Sequence, residues 1–176
     1  SVASRGLGDV YKRQTTTSAC GVCGTSSIEA LMKQSRYEIP RVPVDPRVVA
    51  TLPEALKREQ KQFRKTGGIH AAGAFTLDGK PVVVREDVGR HNAADKVIGH
   101  LLMEGLLPAS DLILVMSSRA SFELVNKAAM AGFGMLVAVS AASSLAVETA
   151  RETGMALVGF ARGDRFNLYS GSLTAR

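Results

Sequence analysis

Polar and apolar positions divide this chain into two differently patterned parts. From Asp111 onward one unit repeats. The apolar run "LILVMS" is followed by "SRAS" and the amphipathic "FELVNKAAMAG"; "MLVAVS" is followed by "AASS" and "LAVETARETG"; "MALVGF" is the third run. Short continuous apolar runs alternating with helical periods predict strands buried on both faces, in a mostly parallel or mixed sheet covered by helices. Upstream, "GIHAAGAFTLDGKPVVVRE" predicts two strands joined by a turn at "LDGK". "HNAADKVIGHLLMEGLL" predicts a helix with Ala94, Val97, Ile98, Leu101 and Leu102 on one face. Residues 53–65 predict an amphipathic helix with Pro53 in its first turn, preceded by an extended, proline-punctuated connector over 38–46. Near the start, Ser26 with Glu29 three residues on predicts a capped short helix.

Composition narrows the class. The 176 residues are 45% apolar and 5% aromatic, enough for one domain with a real core. No apolar run reaches the length of a membrane-spanning helix. Residues 1–14 lack an initiator Met, a signal-peptide core and any periodicity. They read as a non-native or disordered segment, with the α/β domain over 15–176. The net charge of +6 is contributed partly by that segment and partly by "LKREQKQFRK" (56–65), which reads as a solvated helix face. A basic balance suits an anionic ligand. Aromatics do not interleave with these charges, so no nucleic-acid platform is expected.

The two cysteines, Cys20 and Cys23, both lie in "ACGVCGTSSIEAL". Without a secretion signal they form no disulfide scaffold, and a reducing cytoplasm is the expected setting. Gly21 and Gly24 leave the sulfurs uncrowded, and the predicted helix start just after them favours a thiolate. Three readings stay open. Half a zinc site would need nitrogen ligands from His70, His91 or His100, since there is no second cysteine pair. A thioredoxin-like pair would follow a βαβ unit, whereas here the motif precedes the sheet. A sulfur carrier, holding a persulfide on one cysteine, fits the loop best.

Other candidate chemistry sits at strand ends, where ligands of such sheets bind. The loops "SSRAS" (117–121) and "SAASS" (140–144) place Ser117, Ser118, Ser121, Ser143 and Ser144 near helix starts, as an anion site or as simple caps. Arg119 adds a cationic fork. In "GFARGDRFNLY", Arg162 and Arg165 flank Gly163 and are suited to phosphate, while Phe160 and Phe166 either stack on a base or fill the core. In "VREDVGRHNAADK", His91 lies among Asp87, Arg90 and Asp95 as a proton-transfer group or as part of a surface ion-pair cluster, and Asn92 or Asp87 is placed to cap the helix.

Together, "CGVCGTSSIEAL", "GIHAAGAF", "VREDVGRHNAADKVIG", "SSRASFELVNKAAMAG" and "VSAASSLAVETARETGMALVGFARGDRFNLY" closely resemble the formate dehydrogenase accessory sulfurtransferase family, FdhD, from about Thr17 to Tyr169. The resemblance implies a three-layer fold similar to cytidine deaminases, and a homodimer. It implies a sulfurtransferase that takes sulfur from a cysteine desulfurase as a persulfide. That sulfur then passes to the molybdenum or tungsten bis-guanine dinucleotide cofactor destined for formate dehydrogenase, with no cofactor held permanently. It places the persulfide on Cys20, gives Cys23 a supporting role, and puts cofactor contacts on Phe160, Ala161, Arg162, Gly163, Asp164 and Arg165. The strand-end residues Ser118, Arg119 and Ser143 join that set from the loop reading above. Deaminase chemistry itself is not expected: "HAA" at 70–72 lacks the proton-shuttling glutamate, and the cysteine pair precedes the histidine. Family members carry a sizeable region before the cysteine loop, and this chain is expected to lack it.

Overall fold

The structure, a computed structural model, describes residues 37–174. The cysteine loop, the helix expected after Ser26 and the segment 1–14 lie outside the described residues. The strands are β1 (His70–Thr76), β2 (Pro81–Asp87), β3 (Leu112–Met116), β4 (Met135–Ala138), β5 (Ala156–Arg162) and β6 (Arg165–Ser170). The helices are α1 (Pro46–Glu59), α2 (Phe63–Thr66), α3 (Arg90–Met103), α4 (Phe122–Met130) and α5 (Ser144–Thr153).

All six strands form one sheet in the order β2-β1-β3-β4-β5-β6. Only β3–β4 and β4–β5 pair in parallel. The β1–β2, β1–β3 and β5–β6 pairings are antiparallel, so the sheet is mixed rather than mostly parallel. The central strands alternate their side chains between two cores. Leu114, Met116, Leu136, Ala138 and Leu157 face α3, α4 and α5, while Ile113, Val115, Met135, Val137 and Val158 face α1. Helices on both faces explain why these strands read as unbroken apolar runs.

Three expectations change. The helix expected over 53–65 begins earlier: Asp45 accepts from the Arg47 amide, Pro46 occupies the first turn, and Pro53 lies inside the helix. Pro46 is well suited to a position whose N–H would go unpaired, and burial of Val49, Leu52, Ala55 and Leu56 holds the helix through Pro53. Leu102 is 64% exposed; α3 buries Ala93, Ala94, Val97 and Leu101 instead. The segment "RFNLYS", not read as a strand, is the edge strand β6. "LKREQKQFRK" is largely solvated, as expected, with Leu56 and Gln60 its two buried members.

Candidate functional site

Sheet direction gathers the distant motifs. Because β1 runs against both β2 and β3, the start of β1 and the end of β2 share an edge with the carboxyl ends of β3, β4 and β5. The N-termini of α3, α4 and α5 follow these strand ends, so three positive helix poles converge there. The loops are stitched into one surface. The Ala71 amide donates to Ser117 Oγ at 2.9 Å, the Val139 amide to the Met116 carbonyl at 3.1 Å, the Ala120 amide to the Ala141 carbonyl at 2.9 Å, and the Phe160 amide to the Ser140 carbonyl at 3.0 Å.

The expected serines have work inside the protein. Ser118 is buried, and its hydroxyl donates to the Arg119 carbonyl at 3.1 Å. Ser143 caps α5, its Oγ accepting from the Ala146 amide at 3.2 Å. Arg119 is exposed on the same edge.

The β5–β6 hairpin carries the other expected contacts. Ala161 is buried, whereas Arg162, Asp164 and Arg165 are exposed around Gly163, whose φ is +55°. Phe160 departs from the core-packing alternative: it is 41% exposed and has φ +52°. A bulky residue in that region carries strain of about 1–3 kcal/mol, of the kind that accumulates where backbone is shaped for a ligand. Phe166, by contrast, packs against the α1-side core. Two cavities flank the hairpin and share Arg162. One, of about 460 Å³, is lined by Phe160, Arg162, Arg165, Phe166 and Asn167. The other, of about 530 Å³, lies toward α1 and includes Leu56, Gln60, Phe63, Val139, Ala161 and Arg162 in its lining.

The "VREDVGRHN" segment joins this edge. Gly89, not Asn92 or Asp87, is the N-cap of α3, and Asp87 buttresses it by accepting from the Gly89 amide at 2.9 Å and the Asn92 amide nitrogen at 3.2 Å. An ion pair with Lys96 is the main cause of the Asp87 carboxyl titrating at about 2. His91 Nε2 lies 3.3 Å from Ser121 Oγ and 3.9 Å from Glu123 Oε2. Burial, reinforced by the neighbouring Arg90 charge, lowers the imidazole pKa, and a hydrogen bond from Ser121 holds the Glu123 carboxyl below its ordinary value. With the Ser121 hydroxyl given to Glu123, His91 donates Nε2–H to the serine oxygen and keeps Nδ1 as its acceptor. Arg90 Nε is occluded and has no hydrogen-bond partner among the described residues. Gln60 was not singled out from sequence, whereas Arg90 was read there as part of the charged cluster around His91. The only signal for Gln60 was an uncharged residue within a run of charges.

Among the described residues, no group of three or more His, Cys, Asp and Glu is placed to hold a metal, and no helix is long and apolar enough to cross a membrane. Cys20 and Cys23 lie outside those residues.

A three-layer mixed α/β domain with a cationic, loop-lined sheet edge is the class these features define. Residues 3–175 match the FdhD/NarQ family, and the chain belongs to it. It is 64% identical over 167 residues to the sulfur carrier protein FdhD of Corynebacterium efficiens, covering 95% of this chain and 60% of that protein. It is 54% identical over 159 residues to the protein of the same name from Nocardia farcinica, covering 89% and 57%. The chain thus spans about three fifths of the length of these curated relatives. A crystal structure described as that of a formate dehydrogenase accessory protein from Desulfotalea psychrophila superposes with a TM-score of 0.69 at 26% identity, over 81% of this chain and 58% of that one.

Proposed function

We propose that this chain is the sulfur-carrying portion of a formate dehydrogenase accessory sulfurtransferase. The Cys20 thiolate attacks the outer sulfur of a desulfurase persulfide. The S–S bond breaks, the desulfurase thiolate leaves, and Cys20 retains the sulfur as its own persulfide. That sulfur is handed to a molybdenum or tungsten bis-guanine dinucleotide, which is substrate here and is then delivered to formate dehydrogenase. Arg119, Arg162 and Arg165 supply charge for its phosphates, with Phe160, Ala161, Gly163 and Asp164 shaping the contact surface. Cys23 supports the loop chemistry, and a homodimer in the cytoplasm is the working form.

The observation that carries this reading is the continuity of the family match through both cysteines and through the cationic edge. It is tested by incubating the protein with a cysteine desulfurase and cysteine, then looking by mass spectrometry for one added sulfur. Loading is expected in the parent chain and in Cys23→Ala, and not in Cys20→Ala. Full loading of Cys20→Ala, or a bound zinc that blocks alkylation of both thiols, overturns the assignment.

A further inference from the structure

At the end of β5 and β6 away from the arginine hairpin, three segments enclose a polar trough of about 570 Å³. Its walls are the connector 41–43, the last turn of α5 and the exit of β6. These walls are bonded to one another. Gly171, with φ +99°, turns the chain after β6. The Val44 amide then donates to the Ser172 carbonyl at 2.7 Å, and the Thr174 amide donates to the Val44 carbonyl at 2.9 Å. Arg151 Nε donates to the Tyr169 carbonyl at 3.2 Å and joins α5 to β6. The trough is therefore preorganised, which lowers the ordering cost of binding.

Its charge is unbalanced. Arg41 and Arg151 both line it, and none of the lining residues is acidic. Arg41 is exposed and makes no hydrogen bond or ion pair with a described residue. Arg151 has Glu148 and Glu152 near it on α5 and pairs with neither. Its Nε is used on Tyr169, and its terminal nitrogens are left for a ligand. As the basic residue of the last turn it also offsets the negative pole of α5; Arg41 has no such role. The Ser170 and Ser172 hydroxyls on the β6 side donate to no described residue. Arginine forks beside hydroxyl donors suit carboxylate or phosphate oxygens.

We propose that this trough docks an acidic peptide segment of a partner protein, with two carboxylates paired to Arg41 and Arg151. Val42 and Pro43, beside the cations, give the stem of an acidic side chain apolar contact. The length of β5, Ala156–Arg162, puts about 20 Å between the trough and the hairpin, so a partner held here leaves the other sheet edge free. The choice of a protein over a small phosphorylated anion rests on the carrier reading, in which the chain meets successive protein partners while its other edge keeps the cofactor substrate.

The test is fluorescence anisotropy of labelled hexaglutamate, with hexaglutamine as the uncharged control, titrated with the full chain at about 0.1 M salt, which screens general attraction to a cationic protein. Arg41→Gln and Arg151→Gln are each expected to weaken hexaglutamate binding about 3- to 10-fold. Lys65→Gln, an equal loss of charge at an exposed position elsewhere, is expected to weaken it by less than about 2-fold. Arg41 has no bond in the fold, so Arg41→Gln keeps the test decisive should Arg151→Gln misfold. Absence of hexaglutamate binding, equal binding of hexaglutamine, no loss with Arg41→Gln, or an equal loss with Lys65→Gln overturns the proposal. So does inorganic pyrophosphate that binds more tightly than the peptide with the same Arg41 dependence, which assigns the trough to a small phosphorylated ligand. Arg41-dependent peptide binding in a chain whose Cys20 never loads sulfur upholds the trough and removes the carrier reading; loading of Cys20 without peptide binding does the reverse.

Discussion

Two glycine-to-alanine substitutions of opposite sign test how the sheet edge is built. At Gly159 an added Cβ would lie 2.7 Å from Tyr169 Cε2 and 3.1 Å from the Ser140 carbonyl oxygen. That same oxygen accepts from the Phe160 amide and ties the β4–α5 loop to the hairpin. Gly159→Ala therefore overpacks a buried joint, at a cost of about 1–3 kcal/mol. It also strains one backbone hydrogen bond worth about 1 kcal/mol. A net loss of about 2–3 kcal/mol in a chain of this size lowers Tm by about 4–12 °C. At Gly99, in the middle of α3, an added Cβ meets nothing within 4 Å. Gly99→Ala lowers the entropy of the unfolded chain in a helical position and gains about 0.5–1 kcal/mol, raising Tm by about 1–4 °C. Differential scanning calorimetry of both variants reads the effects. A Gly159→Ala protein that melts within 1 °C of the parent would refute the close approach of Gly159 to Ser140 and Tyr169.

Further consequences are smaller or pH-dependent. Ser143→Ala removes the α5 cap and is expected to destabilise by about 1 kcal/mol, seen as a drop of about 2–4 °C in Tm, with sulfur loading of the remaining folded protein unchanged. Asp87 titrates at about 2 when folded, below its ordinary 3.8, so its contribution is complete above pH 3.8 and is lost as pH falls toward 2. Asp87→Asn should flatten that part of the Tm-against-pH curve, and an unaltered curve would contradict the Lys96 pairing. His91 is depressed below 6.5 in the fold, so the parent loses stability as pH falls through 6.5 toward the folded pKa. NMR titration should place its midpoint below 6.5, and His91→Gln should remove that loss; a midpoint above 6.5 would contradict the burial and the Arg90 contact that set it.

Much of the fold was legible along the chain. β3, β4 and β5 are apolar on both faces and therefore announced themselves, as did the β1–β2 hairpin with its "LDGK" turn. β6 did not, because an edge strand with exposed Arg165 and Asn167 has no continuous apolar run. The start of α1 was obscured by two prolines, although Asp45 and Pro46 are an orthodox cap and first turn. Arg162 and Arg165 could be chosen by residue type and spacing. Gln60 could not, because nothing in the sequence distinguishes a glutamine that is 5% exposed from one in water.

The sequence by itself determined the chemical inventory: one cysteine pair, the arginine-bearing hairpin, two serine loops, and strands apolar enough to form the middle of a sheet. Only the tertiary structure decided which of these meet. His91 reaches Ser121, 30 positions along the chain, because β1 reverses direction and so brings the end of β2 and the start of α3 to the edge where β3, β4 and β5 end. Strand direction is set by connections and by how two cores are covered, both of which are properties of the whole sheet rather than of any one segment.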